Sequence, residues 1–571
     1  MHWYDEYPER LELELSALQE AGFAYEVDEE SRATGQFVLT VTYCIGENKH
    51  PLKVVFPPDY PYFPFQVFAP TLNLSDHQDP FSKILCFVAH IDSEWNGATD
   101  TVAKYLLKQL PEVLKANEGG TAVAEAREGA PITGFMHFEP GSLVITADWE
   151  LAADKQRGTL LIGIEKGHNP NAVLRGAVLE VHDLDGNLLG EADLPIKNRY
   201  PIRFHGRWVR SVGPPKSTLP QQVLSEATSV WAELKKPFFD GGPDVVGIVF
   251  QDKALFKEMH DLWVFVVRHR VRIGAPHSGK RRPPGDQIVH YLARPDRGGR
   301  DDIQTRVPRL KAVGDKKISI FGLGALGSTI AWQLARSGIE CLSLIDHDFV
   351  QAGNIPRWMM GWTAAGYDKA TVLASHITQN YPYVETIPIP LKVGAPMHPD
   401  TPQGTYEKLM AQALDGTHLI IDCTVEFTVQ HFLADLAWKR GIPYIWATGT
   451  PGSWGGIVGR SIRGKTPGCW KCFRHHLSEG TIPSPSFEKG PTVQPVGCFS
   501  PTFTGSGFDM DSVALQAVRL AISTLCINVE DGYPDFDWDI GVVNLWSSGR
   551  PIAPHWKTCP LEKHKACDAH E

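Results

Sequence analysis

The feature that most constrains this chain is a glycine motif placed where a strand pattern gives way to a helix pattern. An apolar run over residues 318–321 leads into Gly322, Gly324 and Gly327, and helical periodicity follows. Glycines at this spacing let backbone amides approach a phosphate at the positive end of the helix. The sequence therefore predicts a nucleotide-binding turn. The alternative is a tight turn that holds no ligand.

An acidic residue at the end of the next strand pattern strengthens this prediction. The pattern over residues 341–345 leads into Asp346, 24 residues after Gly322. At that distance a carboxylate is well placed to accept a hydrogen bond from a ribose hydroxyl. The alternative role for Asp346 is a helix N-cap. The motif by itself leaves NAD and ATP open.

Strand and helix patterns alternate along the C-terminal half of the chain, which predicts a parallel sheet with crossover helices. Strand patterns cover residues 317–321, 341–345, 418–422 and 443–447, and helix patterns cover residues 328–336, 370–379 and 429–439.

Four polar residues follow the glycine motif in a distinctive order. Asn354 and Arg357 stand in an Asn-Ile-Pro-Arg run, Lys369 heads a helix pattern, and Asp422 ends a strand pattern. With these motifs, residues 300–530 resemble the adenylating domain of the ubiquitin-activating, ThiF and MoeB family. In that family ATP activates the C-terminal carboxylate of a small protein as an acyl-adenylate. The resemblance decides the choice of nucleotide in favour of ATP.

The same resemblance implies ATP and Mg²⁺ as cofactors and gives each polar residue a role. The chemistry needs cations against the triphosphate and an acid for Mg²⁺, because charge develops on the departing pyrophosphate. Asp346 would bind the ribose, and Asn354 would help to position the phosphates. Arg357 and Lys369 would neutralise the phosphates, and Asp422 would coordinate Mg²⁺. Taken singly, the two cations are also explained as surface residues, and Asp422 as a turn acid at a strand end.

One position departs from the family pattern. Trp358 follows Arg357 where the family usually has Gln, which leaves the details of the phosphate contacts open. Family members often receive an extra arginine from a dimer partner. The resemblance therefore implies a homodimer, with Arg300, Arg306 and Arg309 as candidates for that arginine.

The later cysteines suggest a structural zinc site. The chain holds ten cysteines, which are too few for a disulfide scaffold. Relatives in the family hold zinc with a Cys-x-x-Cys pair and a second pair near the C-terminus, and four such ligands make a closed tetrahedral site. The matching residues are Cys469, Cys472, Cys559 and Cys567, with His555 and His564 nearby as replacements for one sulfur. A redox dithiol and unrelated free thiols are the alternatives.

A further cysteine, Cys498, lies in a loop pattern before the helix pattern over residues 512–520. In the family, a cysteine ahead of the final helix accepts the activated carboxylate as a thioester. The resemblance thus implies a catalytic role for Cys498, and a helix N-terminus lowers the pKa of a nearby thiol. The alternative is an inert thiol.

The N-terminal segment reads as a helix, an antiparallel meander and a second helix. The patterns cover residues 7–21, 37–43, 52–56 and 99–117, with a Pro-Pro-Asp-Tyr-Pro run, Cys86 and Trp95 between the last two. This order resembles the ubiquitin-conjugating fold over residues 1–118, in which a single cysteine carries a thioester. The resemblance implies a catalytic role for Cys86, because a thiolate is a competent acyl acceptor and a good leaving group. The alternative is a small buried residue.

The oxyanion support of that fold is altered in this chain. The usual His-Pro-Asn tripeptide is absent, and His77 stands shortly before Cys86. We expect His77 to keep a structural role. Asn73 is a candidate substitute as the oxyanion donor.

A stretch rich in Pro, Gly and basic residues at 275–285 predicts an exposed linker. We therefore expect an α/β multidomain protein with three parts. These are an N-terminal α+β ubiquitin-conjugating-like domain at residues 1–120, a mixed α/β linker domain at 121–290, and a C-terminal Rossmann-like ThiF/MoeB adenylation domain at 291–571. The middle domain carries no motif that indicates a chemical role.

Charge and hydropathy exclude two classes of function. The 66 acidic and 55 basic residues give a net charge of −11, whereas a broad nucleic-acid surface needs clustered positive charge. No apolar run reaches the ~20 residues that cross a bilayer, and the first ten residues lack the pattern of an export signal. The expectation is a cytoplasmic protein.

An activating and a conjugating domain on one chain predict a relay. ATP adenylates a protein C-terminus, Cys498 and then Cys86 carry it as a thioester, and a target amine accepts it. Fusion raises the effective concentration of one thiol near the other. The domain order resembles the bacterial fusion enzymes of CBASS antiviral operons, which join the C-terminus of a cGAS-like nucleotidyltransferase (CD-NTase) to other molecules. That resemblance implies a CD-NTase as the partner. A sibling group in other bacterial ubiquitin-like operons has similar parts, so another protein with an activatable C-terminus is the alternative.

Two other functions stay open at the level of the sequence. A sulfur-carrier-type adenylyltransferase would use only the C-terminal domain, with the conjugating fold as a non-catalytic docking module. A protein without catalytic activity would use the conjugating fold only for binding. Cys86 in an otherwise well-formed conjugating domain argues against both.

Overall fold

Three large β-sheets organise the chain, and they fall into two units, Met1–Gly299 and Arg300–Glu571. The first unit holds a four-stranded and a nine-stranded sheet, and the second holds an eight-stranded sheet. The computed structural model describes residues 2–74, 77–87, 94–117, 131–147, 149–167, 173–253, 259–272, 286–395, 405–490, 492–493 and 502–570.

The four-stranded sheet is an antiparallel meander in the order β1-β2-β3-β4. Leu39 and Val41 of one strand and Leu52 and Val54 of the next are fully buried, which is the period-two pattern of a sheet with one face in the core. The strands are β1 (Ala24–Val27), β2 (Val38–Ile45), β3 (Asn48–Val55) and β4 (Gln66–Phe68), and the helices are α1 (Trp3–Glu6), α2 (Pro8–Glu20), α3 (Glu29–Ala33) and α4 (Val102–Asn117).

A buried polar network joins α2 to the turns around it. The helix begins at Pro8, a residue suited to the first helical turn because the N–H it lacks would have no partner there. Arg10 and Glu14 lie one turn apart and pair at 2.7 Å, and the hydroxyl of Tyr60 and the amide of Val102 donate to the Glu14 carboxylate. Burial raises the pKa of Glu14. The network holds α2, the Tyr60 turn and the start of α4 together.

The nine-stranded sheet runs in the order β12-β11-β10-β9-β6-β7-β5-β13, with β8 paired to β7. Part of its core is an apolar cluster that includes Val223 and Ala227 of α6 and Phe250 of β10. The strands are β5 (Leu143–Thr146), β6 (Arg157–Ile164), β7 (Arg175–Asp183), β8 (Leu188–Glu191), β9 (Ile202–Arg210), β10 (Asp244–Lys253), β11 (Met259–Arg272), β12 (Asp286–Ala293) and β13 (Pro295–Arg297), and the helices are α5 (Leu194–Arg199) and α6 (Pro220–Val230).

The Pro-, Gly- and Lys/Arg-rich stretch at 275–285 lies outside the described residues, but the strands on either side of it pair with each other. β11 and β12 are antiparallel, with Arg272 opposite Asp286, and β13 then joins β5. The stretch therefore connects two strands of one sheet instead of two domains. The first unit ends at Gly299 and not at residue 290, because β12 and β13 belong to this sheet.

The eight-stranded sheet runs in the order β16-β15-β14-β17-β18-β19-β22-β23. The first five strands are parallel, and four of them match the predicted strand patterns. β16 and the last three strands, which are antiparallel, were not predicted. Its strands are β14 (Lys317–Phe321), β15 (Cys341–Ile345), β16 (Glu385–Ile389), β17 (Leu419–Asp422), β18 (Tyr444–Gly449), β19 (Gly455–Ser461), β22 (Ile540–Ser547) and β23 (Arg550–Cys559). β20 (Thr492–Val493) and β21 (Thr502–Phe503) form a separate two-stranded sheet.

The helices of the second unit cover both faces of this sheet, and each face has its own apolar core. Their bounds are α7 (Arg300–Gln304), α8 (Ala325–Arg336), α9 (Lys369–Asn380), α10 (Tyr406–Leu414), α11 (Phe427–Arg440), α12 (Trp470–Ser478) and α13 (Gly507–Leu525). Across the described part of the chain, no helix is both long and apolar enough to span a membrane.

Candidate active sites

The glycine motif forms the turn between β14 and α8 and leaves one face open. Gly322 has a left-handed φ of 83°, and a Cβ there would lie 2.7 Å from the amide nitrogen of Thr424. A Cβ on Gly327 would lie 1.8 Å from the carbonyl oxygen of Gly322, whereas a Cβ on Gly324 would meet nothing within 4 Å. The outer glycines are thus needed for packing, and Gly324 leaves the N-terminus of α8 open to an anion such as phosphate.

Both backbone polar groups of Leu323, inside this turn, have side-chain partners. The amide donates to Oδ2 of Asp346 at 2.6 Å, and the carbonyl accepts from the indole Nε1 of Trp358 at 2.7 Å. Trp358 is 6% exposed, so its hydrogen bond is shielded from water. The residue that departs from the family pattern therefore fixes the backbone of the glycine turn.

A chain of hydrogen bonds links the turn to Lys369. Oδ1 of Asp346 accepts from the amide of Asp348 at 2.8 Å, and Oδ2 of Asp348 accepts from Nζ of Lys369 at 2.9 Å. Lys369 starts α9 and is buried. This ion pair keeps the ammonium group near the end of β15, where Asp346 lies. The sequence prediction missed Asp348, although the Asp-x-Asp spacing after β15 signals it.

Asn354 and Arg357 lie on the segment between Asp348 and α9. Oδ1 of Asn354 accepts from the amide of Gln351 at 3.0 Å, and its carbonyl accepts from the amides of Arg357 and Trp358 at 3.0 and 2.9 Å. The turn that Asn354 closes thus places Arg357 directly before the tryptophan that contacts the glycine turn. Burial lowers the pKa of the Arg357 guanidinium. A partly desolvated cation of this kind attracts an anion more strongly than one in bulk water.

The geometry of Asp422 does not fit a magnesium ligand. The residue ends β17 and is fully buried. Its Oδ1 accepts from the amide and hydroxyl of Thr424 at 2.9 and 2.7 Å, and its Oδ2 accepts from the hydroxyl of Tyr444 at 2.9 Å. Burial raises the pKa of Asp422 to about 6, so the group is still mainly ionised at neutral pH. Neither oxygen is accessible, however, whereas Mg²⁺ is bound by accessible carboxylates. Here the carboxyl group stabilises the turn that leads to α11.

Three of the four predicted zinc ligands come together. The ligand atoms of Cys469, Cys472 and Cys567 lie within 4.8 Å of one another, and all three residues are buried. Cys469 immediately precedes α12, and Cys472 lies in its first turn. Burial raises the pKa of Cys469 to about 12 and also raises that of Cys567. Three convergent buried sulfurs fit the donor chemistry of a structural zinc site, which ionises its thiols on binding.

The fourth predicted ligand, Cys559, is not in this group. It ends β23 opposite Ile540 and is partly exposed. His564 instead touches the group, because its amide lies 3.3 Å from Sγ of Cys472 as a donor. The ring of His564 is buried, with Nε2 3.0 Å from Oε2 of Glu479. The other ring nitrogen, Nδ1, accepts from the amide of Ala566 at 3.1 Å. His564 therefore approaches the sulfurs through its backbone, and the group of ligand atoms includes neither its ring nor Cys559.

The predicted nucleophile Cys498 lies outside the described residues. The described strands nearest to it in the chain, β20 and β21, are antiparallel, with Val493 opposite Thr502. The next helix, α13, begins beside Arg357, since a Cβ on Gly507 would lie 3.1 Å from the Arg357 Cα. The chain thus enters α13 next to a residue that is predicted to bind phosphate.

In the first unit, Cys86 ends a short hairpin. Its amide donates to the carbonyl of His77 at 2.8 Å, and Gln78 pairs with Leu85. Cys86 is exposed, which removes the alternative of a small buried residue. The backbone of His77 has a structural role at the thiol, as the sequence suggests.

The surroundings of the thiol disfavour its ionised form. Partial desolvation, and to a lesser extent the negative charge of Asp79, raise the pKa of Cys86. The candidate oxyanion donor Asn73 is exposed, and its Oδ1 accepts from Nζ of Lys83 at 2.9 Å. The side-chain amide of Asn73 is thus held beside Lys83, a cation of the hairpin that carries Cys86.

Comparisons with known proteins agree with this two-part arrangement. Residues 301–518 match the ThiF family, and residues 13–129 match Prokaryotic E2 family B. The chain is 28% identical to the uncharacterized protein y4oA of Sinorhizobium fredii, over 99% of this chain and 97% of that protein.

Two further likenesses cover parts of the chain. It is 27% identical to the ATP-dependent ubiquitin transferase-like protein Cap2 of Enterobacter hormaechei, over 28% of this chain and 25% of Cap2. Among solved structures, E. coli MccB with ATP aligns at 16% identity and a TM-score of 0.34, over 46% of this chain and 69% of the MccB chain. The family matches and the described sheets together show a C-terminal Rossmann-like adenylation domain of the ThiF type and an N-terminal prokaryotic E2 domain, and with Cap2 they support a bacterial fusion of an E1-like and an E2-like enzyme.

Proposed function

We propose that this chain adenylates the C-terminus of a partner protein, carries it as a thioester and conjugates it to an amine. The observation that supports the proposal best is the presence, in one chain, of an open glycine turn in a ThiF-type domain and an exposed Cys86 in an E2-type domain. ThiF-type adenylation implies ATP and Mg²⁺. Cap2, an ATP-dependent ubiquitin transferase-like protein by name, gives further support.

In the first step the residues around the glycine turn bind the nucleotide. ATP is the substrate that supplies the adenylyl group, and Mg²⁺, when bound with it, would offset the charge on the departing pyrophosphate. Amides at Gly324 bind a phosphate, and Asp346 accepts the ribose hydroxyl through the lone pairs that its two backbone donors leave. Lys369 and Arg357 neutralise phosphate oxygens. A carboxylate oxygen of the partner attacks the α-phosphorus, and the bond to pyrophosphate breaks.

The acyl group then passes along two thiols. Cys498 attacks the acyl carbon and releases AMP. Cys86 attacks the resulting thioester and releases Cys498, and a target amine attacks in turn and releases Cys86. Each transfer forms one bond to the acyl carbon and breaks one, so ATP is consumed only in the adenylation step.

The partner is a protein with an activatable C-terminus, and the resemblance to CBASS fusion enzymes favours a CD-NTase in antiphage defence. The chain acts as a homodimer in which an arginine completes the partner's nucleotide site. Arg306 and Arg309 are the better candidates, because both are exposed. Arg300 donates to the carbonyl of Gly314 and lies over the ring of Tyr383 within its own chain.

A structural Zn²⁺ is also part of the proposal. Cys469, Cys472 and Cys567 hold it, and the ring of His564 would become the fourth ligand only by exchanging its hydrogen bond to Ala566 or Glu479 for the metal. A closed site of four protein ligands would leave no position for substrate, so the metal would stabilise the start of α12 and the C-terminal segment and take no part in catalysis.

The proposal is tested by incubating the protein with ATP, Mg²⁺ and a candidate CD-NTase. Pyrophosphate exchange into ATP reports adenylation, and non-reducing gels report thioesters. Wild type is compared with Cys86→Ala and Cys498→Ala, and with Cys44→Ala as the matched control because Cys44 is an exposed cysteine in the same domain as Cys86. We expect exchange in all four proteins, and a complete relay only in wild type and Cys44→Ala.

Two results would refute parts of this proposal. Thiol-sensitive adducts that persist in both Cys86→Ala and Cys498→Ala rule out the relay. Failure of every candidate partner to support pyrophosphate exchange rules out adenylation. If Cys86→Ala leaves every ATP-dependent reaction intact, the second candidate is favoured, a sulfur-carrier-type adenylyltransferase with a docking module.

A further inference from the structure

The hairpin that carries Cys86 is a single hydrogen-bonded unit over residues 77–86. Besides the bond between the Cys86 amide and His77, the amide of Asp79 donates to the carbonyl of Ile84 at 2.8 Å. The amide of Lys83 donates to the carbonyl of Asp79 at 2.9 Å. The thiol lies at the base of this hairpin, and residues 80–82 form its tip.

The carboxylate of Asp79 fixes the tip. Its Oδ1 accepts from the amides of Phe81 and Ser82 at 2.8 and 3.2 Å, and its Oδ2 accepts from the Ser82 hydroxyl. An aspartate that accepts from the two following amides restricts the turn to one backbone conformation. Phe81 thus lies in a turn that the Asp79 carboxylate connects to a strand of the hairpin.

The side chain of Phe81 is half-buried, and it packs outside its own domain. The core of the ubiquitin-conjugating-like domain does not include it. It packs instead against the apolar cluster of the nine-stranded sheet, to which Met136, Leu224 of α6 and Val264 of β11 belong. Both sheets are parts of the first unit.

We propose that the nine-stranded domain braces the Cys86 hairpin through Phe81, so that Phe81 is a positioning residue for the thiol. This gives the middle domain, which has no chemical motif, a role in acyl transfer. The functional part rests on the proposed thioester at Cys86. The brace itself rests only on the hairpin and its packing.

The first test measures the hairpin directly in the full chain. Hydrogen exchange of the peptide that spans residues 77–87 and the alkylation rate of Cys86 are compared in wild type, Phe81→Leu and Phe81→Ala. We expect both rates to rise about fivefold or more in Phe81→Ala and about twofold in Phe81→Leu, because removing packing favours local opening. Leu188→Ala is the matched control, since Leu188 is an exposed apolar residue of the same nine-stranded sheet, and it should leave both rates unchanged.

Unchanged exchange and alkylation in Phe81→Ala would overturn the brace. If Phe81→Ala does not fold, Phe81→Leu alone decides, and rates equal to wild type overturn it. The second test measures thioester on Cys86, which we expect to fall about tenfold in Phe81→Ala because small displacements of a reacting group slow its reaction strongly. Pyrophosphate exchange, a property of the second unit, should stay constant.

The two proposals can fail separately. If Cys86→Ala retains full conjugation, the thioester role fails, but faster exchange in Phe81→Ala still supports the brace. If Cys86→Ala abolishes conjugation and Phe81→Ala exchanges and reacts as wild type does, the relay stands and the brace is wrong.

Discussion

Replacing Trp358 by Phe tests whether the nucleotide site depends on one indole N–H. The substitution keeps an aromatic ring and removes the donor that binds the Leu323 carbonyl at 2.7 Å. Because Trp358 is only 6% exposed, water cannot easily replace that donor. The turn then loses one of the two contacts that fix Leu323, and the amides near Gly324 are less well oriented toward a phosphate.

The size of the effect follows from the burial of the bond. Leaving a buried carbonyl without a donor costs about 1–3 kcal/mol. If about 1–2 kcal/mol of this appears as weaker nucleotide binding, the dissociation constant for ATP rises about 5- to 30-fold. Because the indole acts through the turn and not on the reacting atoms, we expect KM for ATP to change more than kcat.

The assay is a titration with a fluorescent ATP analogue, accompanied by pyrophosphate exchange and thermal unfolding. Trp362→Phe is the matched control, because Trp362 lies four residues further along the chain and is 75% exposed. It should bind nucleotide as wild type does. If Trp358→Phe is less stable than wild type but binds ATP equally well, Trp358 only fills the core and the reasoning is wrong.

Three further predictions concern the thiols and the buried acid. Cys472→Ser should lose its zinc and unfold at lower temperature. Cys559→Ser should keep about one zinc per chain, measured by plasma mass spectrometry. Zinc loss in Cys559→Ser would contradict the conclusion that Cys559 is not a zinc ligand. Asp79→Asn removes a negative charge near Cys86, so it should lower the pKa of Cys86 and speed its alkylation at neutral pH. If the pH profile of alkylation moves to higher pH instead, the effect of charge is refuted. Folding raises the pKa of Asp422 to about 6. Protonation of this carboxyl group therefore adds about 3 kcal/mol to the free energy of unfolding. This contribution is complete below about pH 4 and is lost as the pH rises through about 6. Denaturant titrations of Asp422→Asn should lack this pH dependence, and equal pH dependence in both proteins contradicts it.

The sequence predicts the nucleotide-binding part of the fold well because its signals are local. The bounds of β14 and β15 agree with their apolar patterns, since strands of a parallel sheet are buried on both faces. The glycine spacing fixes the turn between β14 and α8, because a Cβ at Gly322 or Gly327 has no room. Neither signal requires knowledge of distant contacts.

Features that depend on distant pairing were predicted less well. Residues 275–285 have the composition of a linker, yet the strands on either side pair with each other. Composition reports that a segment is exposed, and a long hairpin connection and a domain linker share that property. The separation of Cys559 from the other three predicted zinc ligands is of the same kind. It depends on where the end of β23 lies relative to Cys469 and Cys472, and no periodicity encodes that distance.

Asp422 shows a third limit of the sequence. Its position at the end of a parallel strand correctly places it at the edge where ligands bind. The direction of its carboxyl group is decided by Thr424 and by Tyr444 of β18, which together satisfy both oxygens. A residue type at a strand end is compatible with a ligand or with a structural acid, and only its hydrogen-bond partners distinguish the two.

The raised pKa of Cys86 bears on how this thiol would carry an acyl group in the proposed relay. A thiol of higher pKa is a better nucleophile once ionised and a poorer leaving group afterwards. Its thioester is therefore more stable than that of a thiol with lower pKa, and acyl transfer to it from such a thiol is favoured. Desolvation and the charge of Asp79 both raise the pKa of Cys86. A carrier of this kind suits the last position before an amine acceptor, because it retains the acyl group until the acceptor arrives.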